Sequence, residues 1–319
     1  MDALLYLLAR MLLALVQALP LRWVARLGRG GGALFYWLDA RHRRVARRNL
    51  ERCFGAAMSS REIRAIAREN FRRIGENFAC AAKTAGLAPA AIRACLEVVG
   101  GEKLGVAPSA SPGRNYVAAI GHFGNFELYA RANLFVAGLR FATTYRGLRQ
   151  PALNRLLQDV RGQSGCLFFE RRTDVEALKT ALHQGNLLIG FLADQHAGDR
   201  GLRLPFLGQE CSTSAAPAVF ALRYGCPVHP AICYRVALGG WRIEVGDAIP
   251  THAGGQPRSV AAISLDINRA FERAVRRDPA NWFWVHNRWK PGKWRQTPGG
   301  GDAPVAAGLD SGAGGKDGM

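Results

Sequence analysis

The chain has 319 residues, enough for one large or two modest domains, and its 49% hydrophobic and 21% charged composition is that of a globular protein with material for a sizeable core. Its 43 Lys+Arg against 24 Asp+Glu give a net charge of +19, which points to a polyanionic partner: nucleic acid, anionic lipid or an acidic carrier protein. Seven scattered cysteines (53, 80, 95, 166, 211, 226 and 233) include no C-x-x-C pair, and no H-E-x-x-H occurs, which excludes a disulfide scaffold and the common zinc sites and leaves no metal expected.

Residues 3–19 form an apolar helical segment interrupted only by Arg10 and Gln17. At 1.5 Å per residue it reaches about 25 Å, short of a comfortable bilayer span. A signal peptide is not expected, because the start carries Asp2 and no A-x-A site follows. Arg22, Arg26 and Arg29 come next, then the aromatic run Leu34-Phe-Tyr-Trp-Leu38, then Arg41, Arg43, Arg44, Arg47 and Arg48. Apolar helix, aromatics and arginines together suit a membrane anchor over residues 1–40 on the cytoplasmic face; a helical hairpin packed on the domain, with a solvated basic face, gives the same pattern.

The main domain is expected over 41–296. From Arg61 to Leu96 the apolar positions Ile63, Ile66, Phe71, Ile74 and Phe78 recur at helical spacing. Short apolar runs then alternate with helical patterns. Strands are predicted at Tyr116–Ile120, Leu187–Leu192, 228–234 and 241–245, and helices at Phe126–Leu134, Pro151–Gly162, 174–184, 215–224 and Val260–Arg277. The fold class is therefore α/β, a largely buried sheet flanked by helices. Residues 297–319 are Gly-rich, nearly without large apolar side chains, and are expected to be a disordered tail.

The most informative residues are His122 and Glu127, in a His-x4-Glu pattern where the strand Tyr116–Ile120 turns into a helix across Gly121 and Gly124, with Asn125 as the expected N-cap. Residues five apart on one helix diverge by about 140°, so a shared task requires the turn: His122 on the loop and Glu127 in the first helical turn. There the carboxylate would hold one imidazole nitrogen while the other faces substrate. Further polar residues fall at element ends. Arg146 follows an apolar stretch, Arg172 precedes a helix, and Asp194 and Gln195 end the strand Leu187–Leu192, where open α/β sheets bind ligands. A His, a Glu, arginines and an Asp at neighbouring strand ends make a site for a large anionic substrate. Several other motifs fail. Gly162-Gln-Ser-Gly165 would need Gly where Cys166 stands to be a nucleophile elbow. Gly28-Arg-Gly-Gly-Gly32 lacks the strand and acidic partner of a dinucleotide site, and no P-loop or nucleic-acid module occurs.

Gly121-His-Phe-Gly-Asn-Phe-Glu127, Tyr145-Arg-Gly-Leu148, Arg171-Arg172, Asp194-Gln195, Leu204-Pro-Phe-Leu-Gly208, Thr213-Ser-Ala-Ala-Pro-Ala218 and Trp282-Phe-Trp-Val-His-Asn-Arg-Trp-Lys290, in this order, resemble the late lauroyl/myristoyl acyltransferases of lipid A biosynthesis, within the bacterial lysophospholipid-acyltransferase superfamily. The resemblance covers roughly residues 1–292. Gly147 stands where the family often has Pro, and the N-terminal apolar stretch is shorter than a typical anchor.

The resemblance implies a glycerolipid-acyltransferase-like fold and acyl transfer from an acyl carrier protein thioester, with coenzyme A thioesters left open as donors. The acceptor it implies is a hydroxyl of an anionic, Kdo-bearing glycolipid, at the cytoplasmic face of the bacterial inner membrane, with no cofactor and no nucleic acid. His122 would be the general base and Glu127 its orienter, with Arg146 and Arg172 on acceptor phosphates, Asp194 and Gln195 organising the site and Asn125 also among the substrate-binding residues. The oxyanion would be stabilised either by N–H groups of the Gly124–Asn125 turn or by a neighbouring arginine. Three alternatives remain at this point: another acceptor, as in the phosphatidylinositol-mannoside acyltransferases; a non-catalytic basic membrane protein; and a serine lipase, which the broken elbow at Ser164 disfavours. The block 282–290 suits either the lipid headgroup level or the protein core.

Overall fold

A computed structural model of the protein describes residues 2–104 and 113–290. The Gly-rich segment 297–319, expected to be disordered, lies outside the described residues. Helices α1 (Asp2–Ala18), α2 (Leu21–Leu38), α3 (Ala40–Phe54) and α4 (Ser60–Ala85) open the chain. Pro20, which fixes φ and has no N–H to donate, separates α1 from α2, and the two are bent by 120°. Asp39 caps α3 by accepting from the His42 N–H at 3.0 Å, and Ser59 with Glu62 forms a capping box on α4.

The glycine run of α2 is a packing device. A Cβ at Gly32 would stand 2.1 Å from the Phe71 carbonyl oxygen of α4, and one at Gly75 of α4 would stand 2.2 Å from the Gly28 oxygen. Only bare backbone lets the two helices approach so closely.

The helix α5 (Pro89–Cys95) leads into β1 (Leu96–Val99). There follow β2 (Tyr116–Ile120), a 3-10 helix (Phe126–Leu134), β3 (Arg140–Tyr145), α6 (Pro151–Gly162), β4 (Leu167–Glu170), α7 (Val175–His183) and β5 (Leu187–Leu192). A hairpin of β6 (Leu202–Phe206) and β7 (Gln209–Thr213) then leads to α8 (Ala216–Tyr224), β8 (Val228–Ala237), β9 (Gly240–Val245), the two-residue strands β10 (His252–Ala253) and β11 (Gln256–Pro257), and α9 (Val260–Arg277).

The central sheet has seven strands in the order β1-β9-β8-β2-β5-β3-β4. From β8 to β4 all neighbours are parallel; only β8 and β9 run antiparallel, so the sheet is mixed. The predicted β2, β5, α6 and α9 appear with the expected bounds, whereas β1, β3, β4, β6 and β7 were not anticipated. Every residue of β2 is buried, as expected of a strand covered on both faces.

The sheet separates two apolar clusters. Val117, Ala119, Ala142, Phe169, Ile189 and Phe191 face α7, α8 and α9. The intervening residues Ala118, Ile120, Phe141, Phe168 and Leu188 face the opposite way, with Leu128, Val136 and Ile243. Because β8, β2, β5, β3 and β4 run together, their carboxyl ends share one edge, and that edge carries the site.

Candidate active site

The register of the sheet brings His122 and Asp194 together. Ile120 of β2 pairs with Leu192 of β5, and each strand continues two residues further before its functional side chain. The His122 Nδ1 lies 2.8 Å from Asp194 Oδ1, and the His122 backbone N–H donates to Asp194 Oδ2 at 2.9 Å. The Trp282 indole N–H donates to the same Oδ2 at 2.8 Å. Asp194 is only 1% exposed. Burial alone would push its carboxyl up, but the His122 charge, the two His122 N–H donors and the Trp282 indole outweigh it and hold the pKa down at about 2. An ionised carboxylate accepts and does not donate, so in the neutral imidazole Nδ1 carries the proton and Nε2 keeps its lone pair. His122 lines the cavity described below, and its ring lies against Phe126 and Phe283, with centroids 4.8 and 5.9 Å away.

The segment that carries Trp282 is strapped down from both sides. Asn70 of α4 donates to the carbonyls of Ala280 and Trp282, at 2.9 and 2.6 Å. Asn281 donates to the Cys233 carbonyl and accepts from the Arg235 N–H, while its own carbonyl accepts from the Gly124 N–H at 3.1 Å. Gly124 has φ +50°, and a Cβ there would stand 2.6 Å from the Cys233 oxygen, so glycine is required. The Gly124 N–H, one of the candidate oxyanion donors, is committed to the Asn281 carbonyl.

The second expectation to be corrected concerns Glu127. It does not hold the His122 ring. Its carboxylate accepts from Arg161 of α6, at 2.7 Å from Nη2 and 3.4 Å from Nε. The 3-10 helix that begins at Phe126 turns Glu127 toward α6, and the Arg161 guanidinium in turn lies over the rings of Phe168 and Tyr145, at 5.2 and 6.0 Å. Ser164, at the broken elbow, accepts from the Cys166 N–H and donates to the Arg161 carbonyl, and so shapes the end of α6. Burial pushes the Cys166 thiol up to about 12, which leaves it a poor nucleophile.

A cavity of about 1000 Å³ opens at this edge, its wall mostly apolar. His122, Glu127, Arg146, Arg161 and Gln195 line it, and Arg146 is exposed at the rim. Arg172, expected on acceptor phosphate, is exposed but not on the wall; its neighbour Arg171 is. Asn125, expected to contact substrate and to cap the following helix, makes no capping bond and is not on the cavity wall. It is 1% exposed, and its amide donates to Thr84 at 3.5 Å. Within the block 282–290 the three tryptophans are core, not headgroup surface: Trp282, Trp284 and Trp289 are buried, as is Arg288, while Lys290 is exposed. Arg288 donates to the Gln195 carbonyl and to Thr213 and Asn268. Sequence reasoning did not single out Arg161, which sits in the last turn of α6 without a motif, or the role of Trp282, whose block it noted without its target.

The sequence model of the bacterial lipid A biosynthesis acyltransferases matches residues 2–291, nearly the whole chain. The chain belongs to that family. The chain is 26% identical over 284 residues to the lipid A biosynthesis palmitoleoyltransferase of Escherichia coli (strain K12), covering 85% of this chain and 86% of that protein. It is 25% identical over 280 residues to the lipid A biosynthesis lauroyltransferase of the same organism, covering 86% and 88%. A lipid A biosynthesis acyltransferase of Shigella flexneri is 26% identical over 284 residues, with 85% and 86% covered. Membership makes the protein an acyltransferase, and identity at this level does not select one acyl chain among the family's donors.

Proposed function

We propose that the protein transfers a fatty acyl chain from an acyl carrier protein thioester to a hydroxyl of a Kdo-bearing lipid A precursor. The observation that carries the reading is the His122–Asp194 pair at the mouth of a large apolar cavity. In this scheme Nε2 of His122 removes the proton of the acceptor hydroxyl while Asp194 stabilises the imidazolium. The alkoxide attacks the thioester carbonyl, and the tetrahedral intermediate collapses to the ester. The thiolate leaves and recovers its proton from His122. Arg161 stands on the cavity wall and takes the part of the oxyanion-stabilising arginine, while Arg146 and Arg171 at the rim meet acceptor phosphate. No acyl-enzyme is needed.

The same reading puts the protein at the cytoplasmic face of the inner membrane. Among the described residues no single helix is long and apolar enough to cross a bilayer, although α1 and α2 together pass by length and composition. Leu4, Leu8, Met11, Leu12 and Leu15 of α1 and Trp23, Leu27, Phe35 and Trp37 of α2 are exposed, a patch far larger than isolated surface leucines require. A bent pair lying in the headgroup region would bury that patch. Tyr6 of α1 donates to Asp159 of α6 at 2.8 Å, so the pair lies beside the helix that walls the cavity. The test is mass spectrometry of tetra-acylated precursors, with and without Kdo, after incubation with carrier-protein and coenzyme A thioesters. A new ester only on the Kdo-bearing acceptor and only from the carrier-protein donor supports the full proposal; no ester on either acceptor contradicts it.

A further inference from the structure

The cavity is not one pocket on one side of the sheet. Phe141 and Ala142 are consecutive in β3, and Phe191 and Leu192 are consecutive in β5, yet all four line it. Consecutive strand residues point to opposite faces, so the cavity has a lobe on each face and passes over the strand ends between them. The first lobe lies directly below His122, on the face of Ala118, Ile120 and Leu188, and runs inward to Ile243 and Val245. The second lies on the opposite face as a groove between α7 and α8. Its floor is Ala142 and Phe191, and its walls are Val175 and Leu178 of α7 and Val219 and Phe220 of α8. These four wall residues are only half-buried, and small Ala142 and Thr144 leave the floor low between the helices.

We propose that the second lobe binds a hydrocarbon chain of the anionic lipid acceptor while the first holds the acyl chain being transferred. This rests on the acyltransferase reading above. A thioester donor brings one chain, and its carbonyl must sit beside the hydroxyl that Nε2 of His122 deprotonates, so that chain enters the lobe beneath the ring. An apolar groove on the other face, continuous with the same site, then serves the second substrate. Its entrance supports this: Arg146 and Arg171 stand at the strand-end rim, where guanidinium groups suit the phosphate of an anionic head, and Arg171 is braced on Thr144 at 3.4 Å. A lipid with its head on that rim and one chain in the groove buries apolar surface on both partners, as a docking site for a hydrocarbon requires. The acceptor would thus be held by chain and head together, with its reactive hydroxyl carried over the strand ends toward His122.

The test labels the full-length protein in detergent micelles with palmitic acid bearing a terminal diazirine, and maps the adducts by peptide mass spectrometry. Adducts are expected in α7 or α8 as well as in the first lobe. Excess tetra-acylated lipid A precursor should protect α7 and α8, and excess lauroyl thioester should protect only the first lobe. In acyl transfer, Val219→Trp should raise the acceptor KM at least tenfold with the donor KM unchanged, and Ala130→Trp, which faces the first lobe, should do the reverse; both must keep the wild-type melting profile. Adducts confined to the first lobe, protection of α7 and α8 by the thioester, or an unchanged acceptor KM in a folded Val219→Trp would each overturn the assignment. Wild-type protein that labels in both lobes yet transfers nothing would support two-chain binding and overturn lipid A as the acceptor.

Discussion

His122 Nδ1 donates to Asp194 Oδ1 at 2.8 Å, across the gap between two adjacent parallel strands. The bond fixes the tautomer and the plane of the ring and leaves Nε2 as the only base the imidazole can present. Asp194 is held by its own donors, so the ring is positioned by a carboxylate that cannot turn away.

Trp282 is expected to act through Asp194. Trp282→Phe keeps the ring packing against Trp284 and Trp289 but leaves Oδ2 with one donor fewer. A buried acceptor that loses a partner costs about 1–3 kcal/mol. The variant should be less stable by about that amount, and its kcat should fall roughly tenfold with little change in either KM. Denaturant titration and steady-state kinetics check this; an unchanged kcat in the destabilised variant would make Trp282 purely structural.

Glu127 and Arg161 should behave as a pair separate from the imidazole. Glu127→Gln removes the charge that faces Arg161 and should lower kcat/KM by about 10- to 100-fold, since a charged partner on the cavity wall is left unmatched. Asp194→Asn, by contrast, should flatten the pH dependence of kcat/KM because the wrong tautomer presents to the substrate. If Glu127→Gln changes the pH profile in the same way as Asp194→Asn, Glu127 acts on His122 after all.

Acid should lower the stability of the protein in two stages. Burial brings the His286 pKa down to about 4 from an ordinary 6.5, and its Nδ1 has no hydrogen-bond partner among the described residues. The folded form then binds fewer protons than the unfolded chain, so stability falls as pH drops from about 6.5 to about 4 and levels off below. Discounted for partial exposure, this stage is worth up to about 2 kcal/mol. Asp194, held at about 2 against an ordinary 3.8, adds stability above pH 4 that is lost as pH falls toward 2, again about 2 kcal/mol. Melting temperatures of wild type and His286→Gln between pH 7 and 3 test the first stage: the variant should lose the slope above pH 4, and parallel curves would exclude His286 as its source.

The exposed face of α1 should govern lipid association. Leu8, Leu12 and Leu15 are each more than half exposed, and burial of one leucine is worth about 1.5–3 kcal/mol. Replacing all three by Asp should weaken partition into anionic vesicles by at least about 100-fold while leaving the fold intact. Sedimentation with vesicles measures it; equal partition would show that this face does not meet lipid.

Much of the framework is legible in the sequence because β2 and β5 are buried on both faces and read as unbroken apolar runs between turn residues. β3 is not, since Ala142, Thr143 and Thr144 are small or polar where the strand borders the cavity. β4 is a four-residue edge strand, too short to show a period. The carboxylate partner of His122 is hidden from the sequence for a related reason. Local spacing brings Glu127 close in sequence, while Asp194 comes from 72 residues away through a pairing register that no local pattern displays. Asn125 reads as a cap from its residue type, but the following helix is a 3-10 helix and the buried side chain turns instead to Thr84 of α4.

The most direct test of the central claim is acyl transfer to Kdo-bearing tetra-acylated precursor by wild type, His122→Ala and Asp194→Asn, each shown folded by its melting curve. The account predicts that His122→Ala is inactive and that Asp194→Asn loses about 10²- to 10⁴-fold in kcat, the range for a general base deprived of its orienting carboxylate. An Asp194→Asn variant that turns over like wild type would contradict it.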